Sequence, residues 1–319
     1  MVKLGSMMAQ QKCDWVWWDG KFVKWKEANI HITTWSLHYS LAIFEGIRSH
    51  ALKLDGKENA FVFRLQDHVR RLENGAKAYE IPLKYNRKEI ELAILKMLHK
   101  NRLKSAYIRP ILYFGQWTSP APTRRQLNAE FVIFGVPASE NLEKWEPSKG
   151  ISCMVSSRRK PSPDSLPADV KCSANYATSY LAALEAERKG YDYAILLDQR
   201  GYVSEGLASN IFIMSEGKLV TPPMHASILG GITRDTVMSL AKDENLVLEE
   251  RDITHTELLK AEEVFVTGTA SDITPVVNID GTRIGGGRVG PVTIELQRAF
   301  RDVLTGQNVR YRRWLTPVY

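Results

Sequence analysis

The string YDYAILLDQRGYVSEGLASNIFIM (191–214) decides how this chain folds. YDYAILLD (191–198) and YVSE (202–205) are both runs of strand formers. The QRG between them places Gly201 where a tight turn needs a positive φ. A β-hairpin ending at Glu205 is therefore predicted. Small residues lead on to Asn210, and IFIM (211–214) resumes as a strand. Just upstream, NYATSYLAALEAERKG (175–190) has helical spacing and stops at Gly190.

The same alternation extends towards the N-terminus. FVFR (61–64) leads into DHVRRLENGAKAYEI (67–81), where Val69, Leu72, Ala76 and Tyr79 form a helical stripe. RKEIELAILKMLHKN (87–101) repeats that pattern, and AYIRPILYFG (106–115) and AEFVIFGV (129–136) read as paired strands. Polar PASENLEKWEPSKG (137–150), with two prolines, reads as a linker. At 319 residues the chain is long enough for two buried cores. The expected layout is α/β: an extension over 1–14, an N-terminal α/β domain over 15–136, the linker, and a C-terminal domain over 151–319.

Composition narrows the class. Apolar residues make up 44% and charged residues 25%, values of an ordinary globular protein. Cys13, Cys153 and Cys172 are scattered and odd in number, which argues against a disulfide framework and for a reducing cytoplasm. The first twenty residues lack an apolar signal core, and stretches such as YAILL (193–197) are too short to span a bilayer. The net charge of +7 raises nucleic-acid binding as a remote alternative. Clusters such as RRK (158–160) and VRYRR (309–313) are short, however, and no zinc-finger, RNP or helix-turn-helix spacing accompanies them. Neither nucleic acid nor membrane is an expected partner. A thin positive field would instead attract anionic metabolites or a phosphate.

Two residues 34 apart carry the chemistry: Lys171 in KCSANY (171–176) and Glu205. A lysine amine and a distant carboxylate are what a protein supplies to hold pyridoxal 5'-phosphate. The amine forms an imine with the cofactor aldehyde, and the carboxylate keeps the pyridine nitrogen protonated so that the ring accepts electrons. Alone, such a lysine is usually a solvated charge and such a glutamate a turn residue. Small neighbours, Cys172, Ser173 and Ala174, leave room for a ligand beside Lys171. GGITRDTV (230–237) opens a helix, so Gly231, Ile232 and Thr233 can aim N–H groups at a phosphate. GTAS (268–271) offers a second nest, with the Thr269 hydroxyl. Tyr107 and Arg109 lie two apart on a strand and so share a face, a candidate carboxylate receptor. GGGRVG (285–290) satisfies GxGxxG, but no βαβ unit can follow in the remaining thirty or so residues, so a dinucleotide site is rejected. The seven histidines show no metal-ligand spacing.

From about Trp15 to Phe300 the chain resembles the class IV pyridoxal-phosphate aminotransferases and, within them, the branched-chain amino acid aminotransferases. The resemblance rests on WWDGKFVKW (17–25), LHYSLAIFEGIR (37–48), FRLQDHVRRL (63–72), AYIRPILYFG, ADVKCSANY (168–176), EGLASNIF (205–212), GGITRDTV, TGTASDITPV (267–276) and GRVGPVT (287–293). It implies a two-domain fold of type IV, a smaller N-terminal α/β domain and a larger C-terminal one, with the cofactor between them. Arg71 matches the phosphate arginine, and Tyr176 the residue bonded to the cofactor's phenolic oxygen. Tyr107, with the backbone of Thr269 and Ala270, matches the α-carboxylate site. Arg109 matches the receptor for the distal carboxylate of glutamate, and Tyr39 and Phe44 match side-chain pocket walls, Tyr39 acting on the neighbouring subunit of a homodimer or larger homo-oligomer.

The resemblance implies amino transfer from leucine, isoleucine or valine to 2-oxoglutarate, by a ping-pong route through a Lys171 Schiff base. Burial and the cationic cofactor are expected to bring the lysine's pKa down towards neutrality. Related enzymes of other specificity, D-amino acid and (R)-amine transaminases and aminodeoxychorismate lyase, are the alternatives. YIRP (107–110) and FEGIR (44–48) favour the branched-chain group. Two departures weaken the substrate assignment: PASENLE (137–143) replaces P-W-G-x-Y, and SSRRK (156–160) replaces S-S-W-R-R, both near the substrate entrance in the family.

Overall fold

The computed structural model describes residues 13–54, 56–117, 119, 123, 126–138 and 149–319, so the altered string at 139–143 and most of the linker lie outside the described residues. The chain forms two compact units. The first contains the residues up to 138, together with 170–174 and 304–319; the second contains 149–169 and 175–303. The stretch from 151 to the C-terminus is therefore divided, and Lys171 belongs with the N-terminal residues.

The first unit is built on an eight-stranded antiparallel sheet. In spatial order its strands are Leu315–Pro317, Lys57–Phe63, Ile47–Leu54, Ala106–Phe114, Ala129–Pro137, Trp15–Trp18 and Lys21–Lys24, with Ala42–Phe44 also paired to Ala106–Phe114. Pro110 interrupts the ladder at its centre because it has no N–H to give. Opposite it the neighbouring chain breaks into two strands, Phe44 pairing with Ile111 and Ile47 with Ile108. Glu45 and Gly46 occupy the break, and the Glu45 N–H donates to the Pro110 carbonyl at 3.0 Å. Helices Leu65–Ala78 and Arg87–Lys100 bury Val69, Leu72, Ala76, Ile94 and Met97 in the core beneath this sheet, as their stripes predict. The first helix ends earlier than 81, since Glu80 takes a left-handed φ of 50°. The second starts with a capping box between Asn86 and Glu89.

The second unit has a mixed nine-stranded sheet. Its order is Val203–Gly206, Tyr193–Leu197, Ile151–Arg159, Asp272–Ile279, Glu263–Gly268, Asn210–Ser215, Lys218–Thr221 and Leu248–Glu250, with Thr282–Arg283 on Asp272–Ile279. Strands Ile151–Arg159 and Tyr193–Leu197 run parallel, so a crossover must join them, and helix Tyr176–Arg188 supplies it. The hairpin at 191–205 forms as predicted, with Gly201 at φ 94° and Gly190 at φ 78°. It contains a bulge that the sequence did not announce: Val203 pairs with Leu197 but Gly206 with Ile195, leaving an extra residue around Ser204 and Glu205. Such a bulge re-aims a side chain at the end of a strand. Phe212 and Phe265 stack at 5.2 Å in the interior. Among the described residues, no helix is long and apolar enough to cross a membrane.

Candidate active site

In the first unit, residues 170–172 run extended along Ala42–Phe44, ahead of the 3-10 turn Ser173–Asn175. Phe44 N donates to Lys171 O at 3.1 Å, Ala42 N donates to Ser173 Oγ at 3.0 Å, and Cys172 bridges to Ile43. Extended backbone alternates its side chains, so Val170 and Cys172 enter the core while Lys171 points the other way and stays half-buried. Its Nζ lies 5.1 Å from the centre of the Phe44 ring. Arg109 lies over the same ring, with Cζ at 4.5 Å, and its Nη2 donates to Tyr107 Oη at 2.7 Å. Tyr107 and Arg109 thus share a face, as their spacing predicts. Gly46 makes room for them: a Cβ there would stand 2.2 Å from Tyr107 Oη. Lysine, arginine, tyrosine and phenylalanine form one cluster. Tyr39 ends the short helix Trp35–Tyr39, lies against Trp35 with ring centres 4.6 Å apart and tilted by 34°, and is 55% exposed.

Arg71 projects from helix Leu65–Ala78 and is held by Glu45, a residue the sequence reading passed over. Arg71 Nε donates to Oε1 at 2.6 Å and Nη2 to Oε2 at 2.8 Å, while His68 Nδ1 meets Oε2 at 2.8 Å. Burial alone would push the Glu45 carboxyl up, but Arg71 overrides it and holds the group well below the usual carboxylate range. Burial also lowers His68, against the opposing pull of Glu45. A neutral imidazole with its proton on Nδ1 is the tautomer that satisfies the carboxylate.

Glu205 anchors the second group. It is 6% exposed and accepts three hydrogen bonds: from Lys160 Nζ on Oε1 at 2.7 Å, and from Asn210 Nδ2 at 3.1 Å and Leu229 N at 3.0 Å on Oε2. Asn210 also donates to Leu229 O at 2.8 Å, tying the strand to the loop before helix Ile232–Asp243. Gly231 is the N-cap of that helix and provides no side-chain cap. Any Cβ at Gly231 would lie 1.9 Å from Asn210 Oδ1. The start of the helix, with Ile232 and Thr233 in its first turn, thus presents a positive dipole end without an acidic cap from that residue. The rejected GGGRVG string is different: the helix after it, Pro291–Leu304, already has the Glu263 carboxylate on Val292 N and Thr293 N, at 3.0 and 2.8 Å. Thr269 and Ala270 form the turn after Glu263–Gly268, closed by Ser271 N to Gly268 O at 3.1 Å. Tyr176 is the first residue of helix Tyr176–Arg188 and is half-buried.

Each unit, taken by itself, carries donors of the kinds pyridoxal phosphate needs: the first an amine and a guanidinium, the second a carboxylate and a helix N-terminus at Gly231, where a side chain would strike Asn210. Three supporting residues carry no role in the sequence reading. Glu45 lies inside FEGIR, where the pattern alone gives a role only to Phe44. Asn210 is part of the EGLASNIF string without a function of its own. Lys160 ends SSRRK, which the family resemblance places near the substrate entrance, whereas its ammonium is on Glu205.

The family model described as amino-transferase class IV matches residues 42–279, and the chain belongs to that family. Within it, the chain is similar to the branched-chain-amino-acid aminotransferase of Salmonella typhimurium, 38% identical over 311 residues, which cover 98% of this chain and 99% of that one. Its fold is similar to the crystal structure of the Escherichia coli branched-chain amino acid aminotransferase, with a TM-score of 0.90 and 37% identity over 97% of this chain and 100% of the other. It also resembles the branched-chain amino acid aminotransferase from Thermobaculum terrenum in its PLP form, with a TM-score of 0.89 and 35% identity over 97% and 100% of the two chains.

Proposed function

We propose that this chain transfers the amino group of leucine, isoleucine or valine to 2-oxoglutarate, in two ping-pong half-reactions, using pyridoxal 5'-phosphate held covalently by Lys171. The observation that carries this reading is the Phe44 cluster, where the Lys171 amine and the Arg109–Tyr107 pair share one aromatic ring. Bound cofactor would take up the electron pair left when the substrate's Cα loses its proton. Lys171 Nζ would hold the cofactor and, when not bonded to it, is the base to take the proton from the substrate's Cα. Glu205 would accept the pyridine N–H and stabilise its positive charge. Arg71 and the backbone N–H groups of Ile232 and Thr233 take the phosphate, with Thr269 as a further donor; Tyr176 bonds the phenolic oxygen. Tyr107 and the Thr269–Ala270 backbone orient the α-carboxylate, and Arg109 receives the distal carboxylate of glutamate.

A homodimer is part of the proposal. Ile30, Ile32, Leu37 and Tyr39 are all more than half exposed on one short stretch, an apolar surface suited to a second copy. Three unpaired, buried cysteines support a reducing cytoplasm as its compartment. The test is the purified protein itself, which should be yellow and should convert leucine and 2-oxoglutarate to the corresponding products. Lys171→Ala should abolish turnover while the circular dichroism spectrum is unchanged. A colourless protein that cannot be reconstituted, or robust turnover by the variant without added amine, would overturn the reading.

A further inference from the structure

Lys160 follows the strand Ile151–Arg159 and is almost fully enclosed, its side chain 7% exposed against 8% for Glu205. Charges this deep are rare unless paired, and a lysine is costly to bury. Its backbone is pinned at both ends to the neighbouring hairpin: N donates to Leu197 O at 2.9 Å, and O accepts from Gln199 Nε2 at 2.5 Å. The ammonium therefore arrives at Oε1 from a fixed platform. A carboxylate offers about four acceptor positions, two per oxygen. Oε2 is filled by Asn210 and Leu229, and Lys160 takes one position on Oε1. One position on Oε1 remains. A guanidinium prefers to engage both oxygens, whereas an ammonium is a point charge that needs only one. Lysine thus neutralises the anion without closing its last acceptor position.

We propose that Lys160 is a positioning residue for amino transfer, which holds Glu205 as an oriented anion with its remaining Oε1 position reserved for the cofactor's pyridine N–H. This rests on the role given to Glu205 above. Removing the ammonium takes away the charged partner that fixes Oε1, so the carboxylate is no longer held in place to meet the pyridine N–H.

The test uses cofactor-loaded protein carrying Lys160→Met, Lys160→Arg, Glu205→Gln and the double variant Lys160→Met/Glu205→Gln. Lys160→Met should lower kcat by about 10²–10³-fold, the loss typical of one electrostatic donor, with KM nearly unchanged and the visible band of the bound cofactor shifted. Lys160→Arg should restore only part of the rate, because it returns the charge but its fork competes for the last Oε1 position. In the Glu205→Gln background, removing Lys160 should cost nothing further, because Lys160 acts through Glu205. The double variant buries no lone charge and carries this comparison even where Lys160→Met does not fold. Wild-type kcat and spectrum in Lys160→Met, or an additional loss in the double variant, would overturn the proposal. Full activity in Glu205→Gln would instead overturn the role of Glu205 on which it rests.

Discussion

Glu45 and Glu205 are two versions of one motif, and their differences show which partner of each pair faces the chemistry. Both are buried carboxylates followed by glycine, and both glycines yield to a tyrosine. A Cβ at Gly46 would strike Tyr107, and one at Gly206 would lie 2.6 Å from Tyr193 Cε1. Both carboxylates accept three hydrogen bonds, including one or more from a cation. Glu45, however, is 0% exposed behind an Arg71 side chain that is 15% exposed. Its forked partner occupies both oxygens, so Glu45 serves to aim the guanidinium. Glu205 has a cation no more exposed than itself and an acceptor position to spare. In the first pair the cation is the outer member; in the second neither is, and the anion is the group we propose to work.

That contrast is most exposed to failure at Glu205. Glu205→Gln should retain cofactor yet lose kcat by roughly three orders of magnitude, since the positive charge on the ring matters chiefly in the transition state. Stopped-flow half-reactions with leucine would measure it. Weaker cofactor binding with unchanged turnover would mean that Glu205, like Glu45, is only structural support.

Arg109→Leu comes next in size. On the proposed reaction, one pocket accepts an aliphatic side chain in one half-reaction and a carboxylate in the other. The half-reaction with glutamate should fall by about 10²-fold or more, because a buried carboxylate left without its partner costs several kcal/mol. The half-reaction with leucine should change little. Arg109 also bonds Tyr107, so equal losses with both substrates would reassign it to holding that tyrosine.

Arg71→Ala and Glu45→Gln sharpen the comparison from the other side. A charge-assisted phosphate contact contributes about 1.5–3 kcal/mol, so Arg71→Ala should weaken cofactor affinity roughly ten- to a hundredfold. Glu45→Gln should lower affinity by less, with kcat of the saturated enzyme nearly intact, because it loosens the aim of Arg71 without removing it. Fluorescence titration with pyridoxal phosphate would rank the two. A larger loss for Glu45→Gln than for Arg71→Ala would contradict the supporting role.

The local elements were legible because their signals are local. The stripe in 67–81 needs only a few turns of chain, and Gly201 and Gly190 declare their conformations outright. The strand pairing of 106–114 with 129–137 could likewise be read from two apolar runs. Lys171 and Glu205 are legible as candidates because the chemistry restricts which residues can serve. The supporting pairs did not. Glu45 and Arg71 are 26 residues apart, and Lys160 and Glu205 are 45 apart, separations with no periodic signature. Nor does any spacing say that 170–174 will pack along 42–44, or that the hairpin will bulge at Glu205. Such contacts depend on sheet order, which pattern alone leaves open.

A third carboxylate separates support of the fold from support of the site, and its effect on activity should be the smallest. Glu185, on helix Tyr176–Arg188, accepts from Ser156 Oγ at 2.7 Å, Ser157 N at 3.0 Å and Ser157 Oγ at 3.1 Å, securing the strand a few residues before Lys160. Burial would raise its pKa, but these donors and Lys189 win and bring it down from 4.5 to about 2. The folded value lies below the unfolded one, so the stabilisation is fully present above pH 4.5 and is lost as the pH falls through about 2. Melting temperatures of the wild type and Glu185→Gln should therefore differ near neutrality and converge as the pH falls across that interval, with kcat at neutral pH unchanged within about twofold. A gap that stays constant down to pH 2 would show that Glu185 holds the strand by shape and neutral hydrogen bonding, and a large loss of kcat would place it in the same chain of support as Lys160.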